Sequence, residues 1–264
     1  MSRLALLPGL LVAGCGGAHF DFQAGFKPDA PSQIEDGLQP LDLTFTDGFF
    51  VTEELDGEPM VGLLASTFSD PCSRYAAYLP VADNDYNKML DLYGADEQTV
   101  VDDWQASLDE NFPDEGAVFF LAMGTKSLGT DDIEITAKEV LDMATTTFDQ
   151  EEAAQPAGTF VADLFYRTSE LSIGCIYGDA CDDNAAAQLA YQNYYGANGG
   201  TVTVSSYNPD KRLKGDLSVD LVSRELDDPD NFGTPATLGS AMATFSLPFC
   251  ADVDEKIFRF YSFL

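Results

Sequence analysis

The sequence predicts a mainly β fold: an antiparallel, β-sandwich-like domain carrying one or two helical insertions, with an α+β arrangement as the alternative. Three observations predict it. Leu213, Gly215, Leu217, Val219 and Leu221 alternate with Lys214, Asp216, Ser218 and Asp220, the period of a strand with one buried and one wet face. Ala241, Ala243, Phe245 and Leu247 repeat that pattern before Cys250. Elsewhere, short apolar runs are separated by turn-forming residues, and 19 Phe and 11 Tyr supply core volume.

Taken in order, the domain begins with Leu41, Leu43 and Phe45 alternating with polar residues. Asp47-Gly48 reads as a hairpin turn, with 49–51 returning as a second strand. Residues 61–68 form a third apolar run, and Asp70-Pro71-Cys72 a turn. Residues 75–81 fit either a strand or a short helix. The most helical stretch is 84–111, where Val100, Val101, Trp104 and Leu108 make one apolar stripe and Pro113 stops the chain. A stripe of this kind docks on a core. Residues 117–123 read as a buried strand, Ile133, Ile135 and Ala137 as a half-exposed one, and 159–166 as another. Asp182 and Asp183 could cap a helix over 185–195 that ends at Gly196. Val202 and Val204 begin the clearest β region. Residues 256–264, apolar on both faces, read as a closing central strand.

The N-terminus has a different organisation. One positive charge, Arg3, precedes an apolar run over 4–12, too short to span a bilayer as a helix, and small residues precede Cys15. This is the layout of a secretory signal over 1–14. Val12-Ala13-Gly14-Cys15 resembles the lipobox of bacterial lipoproteins. The resemblance implies that Cys15 is lipidated, with a diacylglycerol on its thiol and an acyl chain such as palmitate on its amine. Gly16, where an Asp would mark inner-membrane retention, leans the resemblance toward the outer membrane of a Gram-negative envelope. The expected organisation is therefore a signal peptide (1–14), a lipidated N-terminus and flexible tether (15–39), and a single acidic β-rich domain (40–264). The membrane, reached through the anchor, is the one partner the sequence names; a protein or glycan partner is open.

Charge and cysteine content narrow the chemistry. Forty-five acids against 13 Lys and Arg give a formal −32, a field that repels nucleic acid. With Cys15 set aside, Cys72, Cys175, Cys181 and Cys250 remain, an even number that reads as two disulfides in an exported chain. The close spacing of Cys175 and Cys181 favours their pairing, which leaves Cys72 for Cys250. The only histidine, His19, falls in the expected tether, so the domain over 40–264 has no Ser–His or Cys–His pair and no histidine-ligated metal. No Gly-x-Ser-x-Gly, P-loop or dinucleotide fingerprint occurs. No catalytic residue, cofactor or metal ligand is assigned. Calcium is the alternative cofactor, at three acidic segments: Asp83-Asn84-Asp85-Tyr86-Asn87, 179–184, and Asp227-Asp228-Pro229-Asp230-Asn231. These expectations describe a surface-anchored lipoprotein with a non-enzymatic structural, adhesive or binding role. A calcium-dependent binding module is the alternative and a carboxylate-based glycoside hydrolase the second.

Overall fold

Among the described residues, ten strands pair antiparallel in a single sheet whose two ends are consecutive pieces of the chain. The computed structural model describes residues 19–26, 42–55, 58–91, 97–124, 132–134, 158–167, 194–223 and 239–260. In chain order the elements are β1 (His19–Phe26), β2 (Asp42–Phe45), β3 (Asp47–Leu55), β4 (Glu58–Ser66), α1 (Pro71–Asp91), α2 (Glu97–Asn111), β5 (Gly116–Gly124), β6 (Asp132–Glu134), β7 (Thr159–Arg167), β8 (Tyr194–Asn208), β9 (Arg212–Ser223), β10 (Gly239–Pro248) and the short α3 (Ile257–Phe260). The sheet order is β2-β1-β10-β9-β8-β7-β5-β4-β3, with β6 on β8. Thr46 alone separates β2 at one end of this path from β3 at the other.

The sheet therefore curls. Phe50 of β3 packs edge-on against Tyr207 of β8 at 6.1 Å and against Phe249 at 5.4 Å. The Thr52 and Tyr207 hydroxyls lie 3.1 Å apart, and the Cys250 amide donates to the Phe50 carbonyl at 2.9 Å. The two β layers that face each other across the core are halves of one sheet. Register shifts in β8 between Ala197 and Gly200 and between Val204 and Ser206 mark the bulges that help it bend. Gly215 permits the closest approach. A Cβ there would sit 2.1 Å from the Thr203 carbonyl oxygen and 2.7 Å from the ring of Phe245, its cross-strand partner, which fills the space a side chain would take.

Two apolar layers result. Inside the curl lie Phe45, Phe50, Val61, Leu63, Phe119, Leu121, Phe160, Leu164, Val202, Leu217, Val219, Phe245 and Leu247, among others. Outside β3, β4, β5 and β7, the alternate residues Phe49, Val51, Leu64, Val118, Phe120 and Phe165 pack under α1, α2 and α3. Strand β5 is buried at all nine positions because both its faces are covered, which is why 117–123 reads as an unbroken apolar run. Strands β9 and β10 bury Leu213, Leu217, Val219, Leu221, Ala241, Ala243, Phe245 and Leu247, while Lys214, Asp216, Ser218, Asp220 and Thr244 stay exposed.

Trp104 docks the helical layer as the stripe predicts. It is fully buried, its indole N–H donates to the Tyr78 hydroxyl at 2.9 Å, and it meets Tyr86 and Phe260 edge-to-face. The C-terminus of α2 has no basic residue in its own last turn. Two arginines from elsewhere supply the missing cation. Arg74 of α1 donates to the Asn111 carbonyl, and buried Arg167 of β7 donates to the carbonyls of Leu108, Phe112 and Pro113 and pairs with Asp109. Both positive charges complement the negative end of the helix dipole.

Several expectations are corrected. Residues 19–26, placed in the flexible tether, form β1 and pair with both β10 and β2, so His19 belongs to the sheet. Asp47-Gly48 makes no hairpin. Its carboxylate accepts from the Gly48 amide and from the Asp70 amide, tying β3 to the turn that opens α1. Residues 75–81 are helical within α1, which runs on through Pro80, and 84–91 belong to this helix rather than to the next. Residues 257–260, expected in a strand, form α3, and Tyr194, Tyr195 and Gly196, expected at a helix end, lie in β8. The signal over 1–14, Cys15, and the remainder of the 185–195 helix lie outside the described residues.

Candidate functional site

Cys72 and Cys250 are joined, with their Cα atoms 5.8 Å apart across 178 positions of sequence. Cys72 lies in the first turn of α1, where Pro71 occupies the first helical position and Ser73 donates to Asp70 at 3.0 Å. Cys250 follows β10, and its backbone holds Phe50. The bond thus fastens the helical layer to the seam where the curled sheet meets itself. The other proposed pair, Cys175 and Cys181, lies outside the described residues.

Beyond that seam is the best-defined polar cluster. Lys256 bonds Asp254 at 2.5 Å, and the Asp254 carboxylate also accepts from the Lys256 amide at 3.2 Å. The hydrogen bond to Asp254 raises the lysine's pKa, partial burial opposes this, and Asp254, Glu255 and Asp83 add electrostatic attraction. Glu53 of β3 faces the same group. Burial first, then repulsion from Glu255 and Asp254, raises its carboxyl above the ordinary value of 4.5. The corner brings together residues from β3, α1 and the segment before α3 that no sequence pattern associates, because only the curl places them side by side.

Its chemistry is proton binding linked to stability. A carboxyl with a raised folded-state pKa contributes stability below its ordinary value of 4.5, and that contribution is lost as pH rises through the raised value. At neutral pH the Glu53 charge therefore opposes folding. Glu53→Gln is expected to raise the Tm at neutral pH by no more than ~2–4 °C, the size of a surface interaction of about 1 kcal/mol, with the gain vanishing below pH 4.5. A thermal series across that range checks it; an equal gain at every pH would contradict the linkage.

Two other buried polar groups hydrogen-bond locally. The Ser66 hydroxyl donates to the Phe68 carbonyl at 2.6 Å, and Asp85 accepts from the Asn84 side chain at 2.8 Å. Burial raises the phenols of Tyr75 and Tyr195, the latter to about 12, so both stay protonated at neutral pH and neither supplies a base. Of the three acidic segments considered for calcium, Asp83-Asn84-Asp85-Tyr86-Asn87 is helical within α1, with the Asn87 amide donating to the Asp83 carbonyl, so it is not a ligand loop. The segments 179–184 and 227–231 lie outside the described residues. Among the described residues, no three His, Cys, Asp or Glu side chains are grouped to hold a metal ion, and no helix is long and apolar enough to cross a membrane.

Fold and site together define a disulfide-fastened, mainly antiparallel β domain with a helical layer on part of one face. No protein family, curated protein or solved structure matches the chain.

Proposed function

We propose that this protein is a lipid-anchored domain of the bacterial envelope, held in the outer membrane by acylated Cys15 and serving a non-enzymatic structural or binding role. The observation that carries the reading is the Cys72–Cys250 disulfide, a bond that persists in oxidising compartments and not in a reducing cytosol. It supports export independently of the Val12-Ala13-Gly14-Cys15 signal. The non-enzymatic part is supported by buried Ser66 and Arg167, whose side chains bond backbone carbonyls of the chain itself.

The experiment is metabolic labelling with a palmitate analogue in a Gram-negative host, followed by membrane fractionation. The wild-type protein should take up label and sediment with outer membranes. Cys15→Ser should lose the label and appear in the soluble fraction. A Cys15→Ser variant that stays in membranes after a carbonate wash would refute the anchor.

A further inference from the structure

We infer that one end of the curled sheet, the β8–β9 turn, is a membrane-facing surface whose partner is the phospholipid headgroup layer. This rests on the lipid anchor at Cys15. The first described residue, His19, stands only four positions after that cysteine. Four residues at full extension reach about 14 Å. A strand as long as β9, 12 residues, extends roughly 40 Å. The start of β1 is thus confined near the bilayer, while the far ends of its neighbours are not.

The register says which end of the sheet that is. His19 pairs with Ser246 of β10, Ser246 with Lys214 of β9, and Lys214 with Ser206 of β8. Two residues further along, Pro248, Arg212 and Asn208 are level, and the chain turns from β8 into β9 through 209–211. The opposite end of these strands is marked by Leu221 level with Gly239.

Charge along β9 runs in the same sense. Lys211, Arg212 and Lys214 place three of the chain's 13 basic residues within four positions at the anchored end. Lys211 and Lys214 are exposed, and Arg212 is held against β10 by its bond to the Ser246 hydroxyl at 2.9 Å. Toward the other end, β9 presents Asp216 and Asp220 to solvent. Anionic headgroups attract the first set and repel the second within a Debye length of about 8 Å at physiological salt. Exposed Asp210 in the turn, Asp252 and Glu255 beyond β10, and Glu54 of β3, which runs parallel past Phe249 toward this end, oppose this attraction. The short covalent link therefore does the holding.

The test uses the lipidated protein reconstituted into phosphatidylethanolamine–phosphatidylglycerol vesicles carrying a headgroup-linked acceptor dye. A donor is attached at Asp210→Cys or, in a second sample, at Asp220→Cys; both native side chains are exposed. The two positions are about 25 Å apart along the strands, and transfer from Asp210→Cys should be roughly twofold or more greater. The difference should persist in about 0.5 M NaCl, because screening leaves the covalent span unchanged. Equal transfer, or stronger transfer from Asp220→Cys, would overturn the orientation while leaving the anchor intact. The intact mass of each sample, read first, reports the acyl chains at Cys15; their absence would overturn the anchor and this inference with it.

Discussion

Replacing Cys72 and Cys250 together by serine is expected to cost about 5 kcal/mol, the chain-entropy value for a closed loop of 178 positions. That loop spans every element from α1 to β10, so the cross-link restricts most of the unfolded chain. The native state also loses a local constraint. Cys250 donates its amide to Phe50 beside the parallel bridge between Phe50 and Phe249, so the bond anchors the point where β3 meets the end of β10. Denaturant unfolding of the double variant should show a lower midpoint. A steeper slope should accompany it, since the uncrosslinked unfolded chain exposes more surface. A loss below about 1 kcal/mol would mean that the unfolded chain retains enough structure to make the bond redundant.

Trp104→Ala should cost about 3–5 kcal/mol, the range for truncating a buried large aromatic whose cavity collapses only in part. The residue is the single tryptophan of the chain and is fully buried. Its ring is enclosed by Tyr86 of α1 and Phe260 of α3, so truncation loosens all three helices at once. The indole also satisfies the Tyr78 hydroxyl, which is itself buried. Trp104→Phe should separate the two contributions, retaining most of the packing while losing about 1 kcal/mol for the hydrogen bond. Urea midpoints followed by far-UV circular dichroism measure both variants. A Trp104→Ala variant as stable as the parent would show that the helical layer is not docked through this ring.

Strand reading succeeded where one face of the sheet meets water. On β9 and β10 the exposed residues are polar and the buried ones apolar, so the period of two is written in the sequence. It failed where elements are buried on several sides. Ile257, Phe258 and Phe260 are all buried, Phe258 against Phe120 and Phe260 against Tyr86 and Trp104, so α3 has no polar face to reveal its helical period. In α1, Pro80 and the Asp-Asn run at 83–87 are loop-like locally, yet Tyr75, Tyr78, Leu79, Ala82 and Tyr86 fall on one helical stripe. Packing of that stripe overrode local preference. Asp47-Gly48 carries a turn signal, but the aspartate serves a turn 23 positions away. The Glu53–Asp254–Lys256 corner could not be read at all, because it depends on the sheet meeting itself.

The pairing of β1 with β10 has a consequence for how such a chain reaches its native state. His19 and Ser246 are neighbours in the sheet but stand near opposite ends of the sequence. A chain that emerges N-terminus first cannot complete this sheet until its last strand has been delivered, and closing so long a loop precedes any reward from the contacts it makes. The topology thus postpones closure of the sheet until β10 has been made: before then β1 has no partner on that side of its ladder and the 72–250 bond cannot form.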